Sequence, residues 1–155
     1  MSPRIPTTGY PSTTATLYSA AIAGNEQGLV QERLLLAAIV EEAQYAILSN
    51  TLDGIVMTWN HAAERLFGYS AGEIIGRTNS LFVPPAYLLE GEILFDYICQ
   101  GNVPAPFETV RRHKGGEMLH VTLTLSPVKN ALGEVVGVST IARNTAEMKQ
   151  TTGSF

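Results

Sequence analysis

Between residues 29 and 43, Leu29, Val30, Leu34, Leu35, Leu36, Ile39, Val40 and Ala43 recur at helical spacing, while Gln31, Glu32, Arg33, Glu41, Glu42 and Gln44 fill much of the other side. The pattern predicts an amphipathic helix over 28–44. A helix carrying so many leucines must bury them, either on its own domain or against the same helix of a second subunit. Leu29, Leu36, Ile39 and Val40 are the candidate contact positions for a dimer helix. Upstream, 1–27 is rich in Ser, Thr, Pro and Gly and reads as a flexible leader with room for one short helix.

The rhythm then shortens. Tyr45 to Ser49 and Ile55 to Trp59 are two short apolar runs around Asp53-Gly54, a hairpin signal. Asn60 stands where its side chain can cap a helix running from His61 to Phe67, which Gly68 ends. Ser70 and Glu73 have the spacing of a capping box at the start of another short turn. After Pro84-Pro85, Ala86 to Gln100 reads as a longer helix with Leu88, Leu89, Ile93, Leu94, Tyr97 and Ile98 inward and Gly101 closing it. Three strands follow: Phe107 to Arg112, the strict alternation around Leu119, Val121, Leu123 and Leu125, and Val135 to Ala142. Five antiparallel strands, with the short helices segregated between the second and third, predict an α+β domain whose helices cover one face of the sheet and leave a ligand-sized interior between the layers.

Composition narrows the class. In 155 residues, 45% are hydrophobic and 15% charged, which excludes a disordered acidic chain and fits one folded core. A net charge of -4 gives no electrostatic reason to expect nucleic acid or an anionic membrane as partner. A lone cysteine, Cys99, and the lack of a secretory signal or spanning apolar run point to a reducing, cytoplasmic setting.

Candidate chemistry is sparse. His61, His113 and His120 belong to no nucleophile elbow or triad signature and to no paired metal-ligand spacing, so no catalytic and no metal site is assigned. Gly115-Gly116 leads into a strand instead of a helix, unlike a phosphate loop. The basic run Arg111 to Lys114 falls at a hairpin and reads as a solvated turn, with docking to another protein as its functional alternative. Cys99 reads as buried packing, and Trp59 as a core residue with a polar N–H handle.

The string from Asp53 to Arg77, DGIVMTWNHAAERLFGYSAGEIIGR, closely resembles the opening of a PAS sensory domain. Arg111 to Gly116, Val121 to Val128, Gly133 to Val138 and Ile141 to Asn144 resemble its closing PAC portion, in order and at similar intervals. The likeness extends over about 34–150, with the domain itself over 45–150, its PAC-like part over about 105–150, and a short tail at 151–155. It implies a PAS fold and a role in sensing or interaction instead of catalysis. It also implies relay through flanking helices and homodimerisation to a separate signalling effector such as a histidine kinase in a two-component phosphorelay, since no effector follows Met148 to Gln150.

The resemblance also bears on cofactors. The cysteine that forms a flavin adduct in light-sensing members is replaced by Ser80. The histidine that ligates haem in oxygen-sensing members falls at Gly91, so His-ligated haem lacks its axial nitrogen. Phe107 stands where a flavin-binding sub-family carries tryptophan. No cofactor is assigned, which leaves non-covalent flavin, a small apolar ligand or a filled interior as alternatives. Leu94, Ile98, Phe107, Leu123, Leu125 and Ile141 are the candidate pocket residues, and the cavity is expected to be mostly apolar. Trp59, Asn60, Glu73, Lys114 and Asn144 are the relay or structural candidates: Glu73 and Lys114 as a surface ion pair, and Asn144 in place of the aspartate that usually ends the last strand.

Overall fold

A computed structural model describes residues 26–146. The described residues divide into two units after Val40. The first holds most of helix α1 (Glu26–Glu41), whose Leu29, Val30, Leu34, Leu35, Leu36, Ile39 and Val40 are all exposed. The expected leader over 1–27 falls almost wholly outside the described residues, and the tail over 151–155 falls entirely outside them.

In the second unit, strands β1 (Ala46–Thr51) and β2 (Val56–Trp59) form the expected hairpin, with Gly54 at φ +85° in its turn. Two short helices follow, α2 (His61–Phe67) and α3 (Ala71–Ile74), then single 3-10 turns at Asn79–Leu81 and Pro85–Tyr87. The longer helix α4 (Leu88–Cys99) leads to β3 (Phe107–Arg112), β4 (Met118–Lys129) and β5 (Val135–Asn144). The five strands form one antiparallel sheet in the order β2-β1-β5-β4-β3. The first hairpin thus sits beside the last strand, which brings residues far apart in sequence into one inner face.

Local chemistry sets the helix ends as expected. Asn60 Oδ1 accepts from Ala63 N at 2.9 Å, and Gly68 closes α2 in the left-handed region. At α3 both arms of the capping box form: Glu73 N donates to Ser70 Oγ at 3.3 Å and Ser70 N donates to Glu73 Oε2 at 2.8 Å. Helix α2 packs on β1, α3 on β2, and α4 on β4 and β5. Between them Leu48, Val56, Phe67, Ile74, Ile98, Val121, Leu123 and Val138 are buried.

Several expectations are corrected. Of the six residues expected inward on α4, only Leu94 and Ile98 point to the sheet, joined by Phe95, whereas Leu88, Leu89, Ile93 and Tyr97 are exposed. Apolar residues occupy more than one side of this helix, so periodicity alone does not choose the packed face. Cys99, at the last turn of α4, is exposed instead of packed. Ile141 is 38% exposed: Ala142 lies opposite buried Leu123 in the β4–β5 register, so the alternation sends Ile141 to the outer face.

Candidate functional site

Trp59 is 3% exposed, and its indole Nε1 donates to Tyr69 O at 3.0 Å. Its ring packs with Phe67 and Phe82, the three centroids lying 5.2 to 5.4 Å apart in tilted geometry. This cluster fills one part of the space between helices and sheet. Beside it a cavity of about 220 Å³ remains, with Leu48, Phe67, Phe82, Leu94, Leu123 and Leu125 among its apolar walls. Gly91 of α4 forms part of the wall, and a Cβ built there would meet nothing within 4 Å, so the missing side chain helps to leave the space open. Leu52, Asp53, Gly54, Leu88 and Glu92 also line it; of these, Leu52, Asp53, Leu88 and Glu92 are exposed.

Three of the expected pocket residues, Leu94, Leu123 and Leu125, therefore share the cavity wall. Ile98 is fully buried in the core without lining it, Phe107 is half-buried against the core, and Ile141 lies outside. Most of the lining is apolar, and Asn50, Asp53, Asn79, Arg111 and Thr140 add polar groups to it.

Arg111 is the residue that sequence reasoning misplaced most. It is 8% exposed and points inward, not to a solvated turn. The signal was present in the strand period: in β3, Thr109 and Arg111 are buried and share one face with Phe107, while Glu108, Val110 and Arg112 take the other. Nη1 of Arg111 donates to Val110 O at 2.8 Å and to Thr109 Oγ1 at 3.4 Å, and it lies 3.8 Å from Glu90 Oε1. Burial pulls the guanidinium below its usual range, opposed by the charges of Glu90 and Tyr87. It stays protonated, as arginines in proteins do.

Away from the cavity, Asn60 is 1% exposed and joins three segments. Its Oδ1 also accepts from Ile47 N at 2.9 Å, and its Nδ2 donates to Tyr45 O at 3.0 Å. Lys114 Nζ lies 2.7 Å from Glu73 Oε1, so the expected surface pair is present. Hydrogen bonds from Lys114 first, then from the Ser70 amide, lower the Glu73 carboxyl from 4.5 to about 2. Asn144 Oδ1 accepts from Ala146 N at 2.9 Å at the end of β5.

Among the described residues no three His, Cys, Asp or Glu side chains are grouped so as to hold a metal, and no helix is long and apolar enough to cross a membrane. At the two positions where the resemblance would place a cofactor ligand, Gly91 offers the cavity no donor atom, and Ser80, in the turn Asn79–Leu81, does not line it.

A five-stranded antiparallel sheet with short helices packed on one face and a cavity between the layers is an α+β sensory-domain architecture. The chain belongs to the PAS family: the model of the PAS fold matches residues 34–144. Solved structures agree on the fold. A PAS domain of a protein from Colwellia psychrerythraea has a TM-score of 0.65 at 22% identity, with 75% of this chain and 96% of that one covered. A PAS domain of an HTR-like protein from Haloarcula marismortui has a TM-score of 0.64 at 20% identity, with coverage of 79% and 98%. A PAS domain from a two-component sensor histidine kinase has a TM-score of 0.63 at 17% identity, with coverage of 74% and 96%. Among curated proteins, none gives a significant match.

Proposed function

We propose that this chain is a non-catalytic PAS sensory module. In this reading it takes a small ligand into the cavity between α4 and the sheet and relays occupancy through its flanking helices and dimerisation to an effector such as a histidine kinase. The cavity carries the proposal. A folded domain ordinarily fills its interior to near-crystalline density, whereas here about 220 Å³ stays open beside a tightly stacked aromatic cluster. A route to the flanking segments is offered by Asn60, which ties the carbonyl of Tyr45, between α1 and β1, to the start of α2.

A second reading, a ligand-free dimerisation and docking module, is favoured by the seven exposed apolar residues of α1. Native mass spectrometry of the freshly purified full chain separates the two. Sensing predicts a bound mass that disappears in Leu123→Trp, which fills the cavity. A ligand-free dimer that takes up no added small apolar probe, and that becomes monomeric in light scattering when residues 1–44 are deleted, would replace sensing with docking.

A further inference from the structure

We propose that the cavity is a receptor site for a small carboxylic acid, of about the size of benzoate, whose carboxylate is held by Arg111. The inference rests on the sensory reading of the cavity and adds the chemical class of its ligand.

The first observation is an incomplete set of partners. A guanidinium has five N–H donors in a rigid fork. Every side-chain hydrogen bond that Arg111 makes among the described residues leaves from Nη1, to Val110 O and Thr109 Oγ1. The edge formed by Nε and Nη2 makes none, although the side chain is only 10% exposed and the residue lines the cavity. This edge is the one that takes two oxygens of a carboxylate side by side.

The second observation is charge. Glu90 is the one acidic partner of Arg111 among the described residues. It sits at 3.8 Å without a hydrogen bond to it, and its Oε1 is already engaged by Thr109 Oγ1 at 2.9 Å. The compensation is partial. Asp53 and Glu92 line the same cavity but are exposed, so water screens them from its interior. Arg112 makes the contrast: it sits on the opposite face of β3, and its Nη2 is spent on the carbonyls of Ser80 and Leu81 at 3.5 and 3.4 Å. One of the two adjacent arginines is used up in holding a loop, and the other lines the cavity with one edge of its guanidinium outside any hydrogen bond to the described residues.

The third observation is size. An apolar cavity of about 150 Å³ accepts benzene, so 220 Å³ leaves room for a ring or a short branched chain plus a carboxylate. Leu48, Leu94, Leu123 and Leu125 supply the apolar wall for the body of such a molecule, and Asn50 and Thr140 add donors to the lining.

Titration calorimetry of the full chain with benzoate, benzamide and toluene tests this. Benzoate is expected to bind at least about tenfold more tightly than either neutral analogue, the worth of a charge-assisted hydrogen bond. Arg111→Met is expected to lose that preference and keep toluene, which also shows that its cavity is intact. Glu90→Gln, which leaves Thr109 an acceptor and removes the competing charge, is expected to tighten benzoate several-fold. Benzoate binding no better than toluene, unchanged benzoate binding in Arg111→Met, or weaker benzoate binding in Glu90→Gln would overturn the assignment. Toluene binding without a benzoate preference would defeat the carboxylate assignment alone, whereas failure of all three probes would remove the ligand-binding reading with it.

Discussion

Asn60 is the position where one side-chain change has the clearest expected cost. Replacing it by alanine removes the cap of α2, worth about 0.5–2 kcal/mol. It also strips a partner from the part-buried Ile47 N–H and Tyr45 C=O, where the loss is at the lower end of the about 1–3 kcal/mol that an unsatisfied buried group costs. Because Asn60 is 1% exposed, its side chain is held wholly by these bonds inside the domain. The costs are not additive in full, so Asn60→Ala should destabilise the domain by about 3 kcal/mol, a large share of the roughly 5–15 kcal/mol that holds a domain together. Asn60→Ser separates the contributions. A serine caps the helix, yet it is too short to span to both Ile47 and Tyr45, so it should recover about 1 kcal/mol of the loss. Trp59 is the sole tryptophan and is buried next to this site, so its fluorescence in a urea titration reads the transition directly. A loss below about 1 kcal/mol in Asn60→Ala, or a serine variant no more stable than the alanine variant, would refute the assignment of Asn60 as a three-way junction.

Further outcomes follow from the same geometry. Gly91→Ala meets open space on α4, so it should stabilise by about 0.8 kcal/mol through helix propensity and raise the melting temperature by a few degrees; a lower melting temperature would contradict the open wall. Gly137→Ala should do the opposite, by about 2 kcal/mol or more, because its Cβ would lie 2.5 Å from the backbone oxygen of Asn50 and 2.9 Å from Met57 Cε; calorimetry on the two variants side by side checks the contrast in sign. Glu73 titrates at about 2 in the folded domain against its ordinary 4.5, so its contribution is present above that ordinary value and lost as pH falls toward 2. Urea midpoints of Glu73→Gln should therefore fall less steeply than those of the unaltered chain between about pH 4.5 and 2, and parallel curves would count against the Lys114 pair.

The strand and helix order was legible because the local signals were strong and agreed with one another. Asp53-Gly54, Asn60 before His61, Ser70 with Glu73, and the strict alternation from Leu119 to Leu125 each have one low-energy backbone solution. The cavity was only half legible. Leu94, Leu123 and Leu125 follow from period and hydrophobicity, but Arg111 was hidden by its setting among Arg112, His113 and Lys114, where charge suggests solvent. Counting by twos along β3 from Phe107 would have placed it inward. Ile141 failed for the converse reason: Val135 to Ala142 mixes apolar and small residues on both faces, so the inward set is decided by pairing with β4, which the strand's own sequence does not encode. For α4, leucine, isoleucine and tyrosine on several sides leave the packed face to the tertiary fit.

These failures share a cause that bears on function. The inner layer is built in two ways. At one end, Trp59, Phe67 and Phe82 stack into a filled cluster whose members also anchor the β3–β4 hairpin: Phe67 O accepts from Lys114 N at 2.9 Å, and Phe82 O accepts from Arg112 N at 2.7 Å. At the other, a glycine on α4, a buried arginine and the polar side chains Asn50 and Thr140 replace the large apolar groups that a filled core would carry. Hydrophobic patterning reads the first kind of interior well and the second poorly, because an open space is kept partly by small, polar and charged residues at inward positions. Phe67 and Phe82 belong to both, lining the cavity and packing on Trp59. These two rings are therefore the wall shared by the open and the filled half, and the backbone bonds of the same two residues hold the hairpin that carries Arg111 at its base.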